Sequence, residues 1–321
     1  MKYVLFAFVL MSNIAFSQGL KFDKEAYLKG EKIEKSRADV IPPQATLKPY
    51  TPYVHQQHRS TCVAYSLATA RTILMAKKKG LTDQAEISTL HFSPHWIYYQ
   101  NKTDSDTQCE DGIEIEKAVN NLMQNGVPFM CSVEFPDYYP FEKIELCDYY
   151  PPSEKEDSLQ AIQWALKAVY RADDLEGIKI AVSKGMPVVM CMRVPYSFEE
   201  AEKQSIWNPT TNDDPKNAYG HALVLIAYDD EKYGGAVQLM NSWGETWGDN
   251  GFIWVRYGDF AKFAFAGYAL YDSSEKDDSL NALQTNLQSR KTTKAGKKRK
   301  RKKSSKYLII KDKFNEQIKK Q

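Results

Sequence analysis

Apolar residues recur at helical spacing after Cys62, at Leu67, Ala70 and Leu74, in a run of good helix formers that closes on three lysines before Gly80. The pattern predicts one helix from Cys62 to about Lys78, ended by Gly80. Ser60 and Thr61 are its N-cap candidates, which places Cys62 in the first turn. Further helices are predicted at 93–101, at 113–125 ending in Asn125-Gly126, at 158–170, and at 174–184 ending in Gly185. From Pro187 the pattern changes. PVVMCMRV, HALVLIAYDD, AVQLMNSW, GFIWVRY and YALYD are short apolar runs separated by Gly, Asp and Asn, as in the strands of an antiparallel sheet. A helical lobe followed by a β lobe gives an α+β fold.

The flanks follow other rules. Met1 and Lys2 precede an apolar run from Tyr3 to Phe16, with Ala15 and Ser17 as the small residues before a cleavage after Ser17. Residues 1–17 therefore read as a signal peptide, and the chain as exported, either secreted or periplasmic. A membrane anchor needs about 20 apolar residues, whereas this run is shorter and broken by Ser12 and Asn13. Residues 18–41 are a charged, poorly patterned lead-in, and the following VIPPQATLKPYTPYV is proline-rich and extended. No later stretch is apolar enough to span a bilayer, so the mature chain is expected to be a soluble monomer.

With 321 residues and 43% hydrophobic content, the chain can bury a full core, which excludes disorder throughout. The net charge of +2 hides an asymmetry. Residues 289–321 carry fifteen Lys or Arg against Asp312 and Glu316, whereas 18–288 is net acidic by twelve charges. The tail, 273–321, includes GKKRKRKKSSK and is expected to be disordered when free. It suits non-specific contact with anionic polymers or surfaces, or with the acidic body. KKRKRKK has no interleaved aromatics, so sequence-specific nucleic-acid recognition is not expected.

Five cysteines are present, Cys62, Cys109, Cys131, Cys147 and Cys191, and an odd count in an oxidising compartment leaves at least one thiol unpaired. The pairing stays open, although Cys191, within PVVMCMRV, reads as a small buried hydrophobe. Cys62 has different prospects. A cysteine attacks as thiolate, and the positive end of a helix together with a neighbouring imidazolium lowers its pKa.

Three segments supply what such a thiol needs. In QQHRSTCVAYSLATA, Gln56 stands six positions before Cys62; in AYGHALVLIAYDD, His221 follows a glycine and opens an apolar run. In LMNSWGETWGDNGFIWVRY, Asn241 precedes Ser242, Trp243 and Gly244, with Trp247, Gly248 and Gly251 following. Together, over about residues 42–272, these segments resemble the papain-like cysteine peptidases, including the order Cys, His, Asn and separations of 159 and 20 residues. The resemblance implies a two-lobe papain-like fold with the active site between a helical and an antiparallel β lobe. It implies catalytic roles for Cys62, His221, Asn241 and Gln56, with Trp243, Gly244 and Trp247 supporting the site, and a peptide or protein as substrate.

Departures from the family pattern are equally visible. Arg59 stands where secreted plant and lysosomal members carry a disulfide cysteine, Gln57 replaces a glycine and Val63 an aromatic, which suggests a divergent bacterial branch. Only about 35–40 residues separate the signal from Gln56, so no large inhibitory prosegment of the family's type is expected, and only the lead-in is left to reach the cleft. Two other readings remain compatible with the residues: a catalytically silent scaffold that binds peptides, and a thiol acyltransferase acting on a dedicated partner. His55, His58, His91 and His95 form no zinc pattern. They read as surface or packing residues, and neither metal nor cofactor is expected.

Overall fold

The computed structural model describes residues 19–37, 39–130 and 161–272. The signal segment and the basic tail lie outside these residues, as do Cys131 and Cys147.

The first predicted helix is α2, Cys62–Lys79. Every residue from Cys62 to Ala76 is buried, so α2 runs through the core. Gly80 ends it in a left-handed conformation (φ 70°) and donates its N–H to the Ala76 and Lys77 carbonyls. Thr61 is the N-cap residue, but its hydroxyl donates to the His58 carbonyl (2.6 Å) and caps nothing. The guanidinium of Arg71, within α2, is buried against Asp272 (3.2 Å) and donates to the Trp164 carbonyl (3.0 Å).

Shorter helices follow. The segment predicted at 93–101 is α4, Pro94–Tyr99, capped by the Ser93 hydroxyl. It is preceded by α3, Gln84–Thr89. The segment at 113–125 opens as a two-residue strand β3, Ile113–Glu114, and continues as α5, Ile115–Gln124. The helix at 174–184 forms over Leu175–Ser183, with the Asp174 carboxylate accepting the Gly177 N–H (2.8 Å). Of the helix expected at 158–170, residues 158–160 lie outside the described residues, Ala161 is helical, and the helix does not continue beyond it. Ile162–Trp164 make a single 3₁₀ turn, and Ala168–Arg171 form strand β4, whose backbone groups pair with the strand Ala264–Tyr271 instead. Pairing to a buried neighbour overrides local propensity there.

The five apolar runs after Pro187 become β5 (Val188–Val194), β6 (Tyr219–Asp229), β7 (Ala236–Met240), β8 (Phe252–Arg256) and β9 (Ala264–Tyr271). They form an antiparallel sheet in the order β4-β9-β5-β6-β7-β8, with β2 (Gln44–Thr46) pairing with the far end of β6. Helix α2 packs on β6, which brings the Cys62 segment to the sheet. Cys191, on β5, is fully buried, as its apolar surroundings predict. Among the described residues, no helix is long and apolar enough to cross a membrane.

The lead-in is more ordered than its pattern suggests. Leu20–Lys21 form β1, parallel to β3, and Lys24–Lys29 form α1, whose N-cap Asp23 accepts the Glu25 and Ala26 amides. Tyr27 is buried, with its hydroxyl on Asp173 (2.6 Å) and its ring edge-on to Tyr268. The sequence hides this because two residues of strand carry no periodicity.

Candidate active site

Cys62 is the first residue of α2, where the unpaired amides of the first turn present partial positive charge. The backbone N–H groups of Ala222, Val63 and Cys62 itself favour its thiolate. Burial acts against them and wins, pushing the thiol up to about 12. His221 is also fully buried, and burial brings its imidazole down to about 4 against the opposing effect of its bond to Asn241. The expected lowering of the thiol pKa is thus reversed in this form, where desolvation favours a neutral thiol and a neutral imidazole.

His221 lies in β6, and its neighbour Ala222 is the residue whose amide reaches the Cys62 sulfur. On its other side, His221 Nε2 meets Asn241 Oδ1 at 2.8 Å. The same oxygen accepts the Ser242 N–H at 2.8 Å, and since a backbone amide can only donate, the atom facing both groups is the oxygen. The proton of a neutral His221 therefore sits on Nε2. Nδ1 is left as a buried lone pair with no partner among the described residues.

Aromatic rings enclose this bond. Trp243 stacks on His221 with centroids 4.6 Å apart and planes at 26°, and Trp247 meets Trp243 edge-on at 5.3 Å. Trp247 is anchored in turn, its indole N–H donating to the carbonyls of Phe198 (3.0 Å) and Glu199 (3.1 Å). The strip 55–57 is zipped onto 241–244. Gln57 N–H donates to Ser242 O (2.7 Å), Ser242 Oγ to Gln57 Oε1 (2.6 Å) and Gly244 N–H to His55 O (3.2 Å). Gln56 lies within this strip, bridged to Trp243, with its side chain exposed beside Gly244. All three segments singled out in the sequence thus meet at the junction of α2 and β6.

The model of the papain family of cysteine proteases matches residues 45–272, most of the chain. The chain belongs to this family. It is a cysteine-type peptidase with a papain-like α+β fold. It is similar to xylellain, a cysteine protease from Xylella fastidiosa, at 21% identity over 81% of this chain and 97% of that one, with a TM-score of 0.65. Digestive procathepsin L 3 of Tenebrio molitor larval midgut is 18% identical over 77% of each chain, with a TM-score of 0.56. Procathepsin B S9 from Trypanosoma congolense is 13% identical over 80% of this chain and 86% of that one, also at 0.56. No curated protein matches.

Arg59, where the family pattern leads one to expect a disulfide cysteine, ties its loop to residues 108–110. Its Nη1 donates to the Gln108 carbonyl (2.9 Å) and pairs with Glu110 (3.1 Å), while Ser60 N–H donates to Cys109 O (3.1 Å). Cys109 is itself disulfide-bonded, whereas Cys62 and Cys191 remain thiols. Of the other histidines, His91 and His95 are buried, and the ring of His55 packs edge-on to that of His91 at 4.4 Å. His58 Nε2 accepts the Arg59 Nε–H (3.0 Å).

The lead-in enters the same junction, as its place before the catalytic segments allowed. Gly19 is packed so closely on the Ser60 carbonyl, two residues before Cys62, that a Cβ there would collide with it. Gly112 meets the Gly19 backbone equally closely, and Ile113 N–H donates to Gly19 O at 3.0 Å. Leu20 covers Gly220, the residue before His221; a Cβ on that glycine would sit 3.5 Å from Leu20 Cδ2.

Proposed function

We propose that this chain is an exported peptidase that hydrolyses peptide bonds through a Cys62 acyl-enzyme. The reading rests on one arrangement: His221, held by Asn241 through Nε2, keeps Nδ1 as a buried lone pair, on the strand whose next amide reaches the Cys62 sulfur. Transfer of the Cys62 proton to Nδ1 creates two opposite charges side by side, so burial opposes the pair less than it opposes either ion alone. The thiolate attacks the scissile carbonyl, and its oxyanion is held by the Gln56 side-chain amide and the Cys62 N–H. His221 then protonates the leaving amine, and as base it activates the water that hydrolyses the thioester. Asn241 fixes the ring, Trp243 shields their bond, and Gly244 and Trp247 hold the supporting strip.

The lead-in, short as it is, covers this machinery. Gly19 and Leu20 lie between the segment before Cys62 and the residue before His221, so a substrate chain must displace them. In this proposal residues 1–17 direct export, 18–41 restrain the catalytic domain at 42–272, and the basic tail at 273–321 attaches the enzyme non-specifically to anionic polymers or surfaces. Deleting 289–321 is expected to reduce retention on anionic vesicles; unchanged retention would remove that role from the tail.

The catalytic part is tested by turnover of a mixed peptide library with the wild type, Cys62→Ala and His221→Ala. Cleavage by the wild type alone is expected. Equal cleavage by Cys62→Ala, or none by any form, rules the assignment out.

A further inference from the structure

One short stretch of chain, the helical turn Tyr196–Glu199, reaches the surroundings of His221 from two directions. On one side, the fully buried Phe198 ring meets Trp243 edge-on at 5.9 Å and Trp247 at 5.1 Å, and Trp243 stacks in turn on His221. The carbonyls of Phe198 and Glu199 hold the Trp247 indole N–H. On the other side, the Glu199 carboxylate accepts the Tyr219 hydroxyl. Tyr219 lies two residues before His221 in β6, so both side chains project from the same face of that strand. Burial and the Glu199 carboxylate raise the Tyr219 phenol well above its ordinary value, which keeps its proton available for this bond.

A turn of four residues has little internal hydrogen bonding to hold its own shape. This one is fixed from outside. Ser197 Oγ accepts the Trp207 indole N–H at 3.0 Å and donates its own proton to Asp213 Oδ2 at 2.7 Å. The same carboxylate oxygen accepts the Thr210 backbone N–H at 2.6 Å. Trp207 is fully buried, edge-on to Phe198 at 5.0 Å and to Phe263 at 4.9 Å. Bonds to a carboxylate are about twice as strong as those between neutral groups. Asp213 thus ties the far end of its loop back to the turn, and through Ser197 it sets how Phe198 and Glu199, the next two residues, meet Trp243, Trp247 and Tyr219.

From this geometry we infer that Asp213, acting through Ser197, is a positioning residue for His221, because it holds the turn whose contacts keep Trp243 stacked on the ring and Tyr219 beside it. The inference rests on the peptidase reading above. A carboxylate serving only to close a loop predicts a loss of stability, but no kinetic defect that depends on how the His221 ring is held.

The test is a double-mutant cycle on the full chain, with kcat and KM measured on a fluorogenic peptide that the wild type cleaves and folding followed by urea denaturation. Asp213→Ala is expected to lower kcat about tenfold with KM held within about twofold, whereas Asp213→Asn, which keeps an oxygen to accept the Ser197 and Thr210 protons, retains most of the activity. In an Asn241→Ala background, where the ring is already free to rotate, the same Asp213→Ala change is expected to cost less than about twofold in kcat. Ser197→Ala is expected to reproduce Asp213→Ala, and it decides the question if that variant does not fold. An unchanged kcat in the folded single variants overturns the inference. So does a loss as large in the Asn241→Ala background as in the wild type. A wild type that cleaves no peptide removes the peptidase reading itself.

Discussion

His221 and Asn241 are joined by a single 2.8 Å contact between Nε2 and Oδ1, and the Ser242 amide on the same oxygen fixes which atom is which. That contact assigns the ring its tautomer and directs the other nitrogen away from Asn241. Asn241→Ala frees the ring to rotate and to take the wrong tautomer. Loss of about 10²-fold in kcat with little change in KM is expected, within the range of general acid–base effects, and steady-state kinetics on one fluorogenic peptide measures it.

Three histidines whose rings are shielded from solvent make the fold acid-sensitive. Burial lowers His221 and His55 to about 4 and His91 well below its ordinary value. The unfolded chain takes up these protons below about pH 6.5, whereas the native state resists them, so the stability they contribute is present above that pH and is lost towards pH 4. The slope is about 1.4 kcal/mol per pH unit for each histidine. Glu116, whose pKa is raised, acts in the opposite sense but is one group against three. Urea midpoints between pH 7 and pH 4 should fall steadily; a flat profile contradicts the buried neutral state of these rings.

Leu20 holds the lead-in across Gly220. Leu20→Asp removes half-buried apolar contact worth about 1 kcal/mol and places a charge beside the groove. Initial peptidase activity is expected to rise several-fold, read as progress curves without a lag. Unchanged activity would show that the lead-in does not restrain the site.

The Arg71 guanidinium is fully buried in α2, and Asp272 compensates its charge at 3.2 Å. Asp272→Ala leaves that charge in the core and is expected to cost about 3–5 kcal/mol, seen as a lower denaturation midpoint. Trp247→Ala removes a buried ring and two hydrogen bonds beneath Trp243. A similar cost of about 3–5 kcal/mol is expected.

Much of this was legible in the sequence, for identifiable reasons. Helix α2 announces itself through a long run of helix formers closed by Gly80, and the strands after Pro187 through short apolar runs between turn residues. Gln56, Cys62, His221 and Asn241 stand out because each lies in a short segment with its own accessory residues, and the fold brings those segments together. The rest depends on contacts between distant residues. Strand β1 is two residues long and exists through its pairing with β3, so no local pattern reveals it. Strand β4 follows the demands of β9 rather than its own propensity. The fully buried state of Cys62, which reverses its expected acidity, arises where α2, β6 and the lead-in meet.

The proposed nucleophile is tested most directly by mapping the adduct of an epoxide-type thiol reagent on the full chain by peptide mass spectrometry. The expected result is a single adduct on Cys62, formed faster in Leu20→Asp and strongly slowed in His221→Ala, with the buried Cys191 unmodified. A chain that stays unmodified at Cys62 in both the wild type and Leu20→Asp, or one that reacts at Cys191 instead, contradicts the assignment of Cys62 as nucleophile.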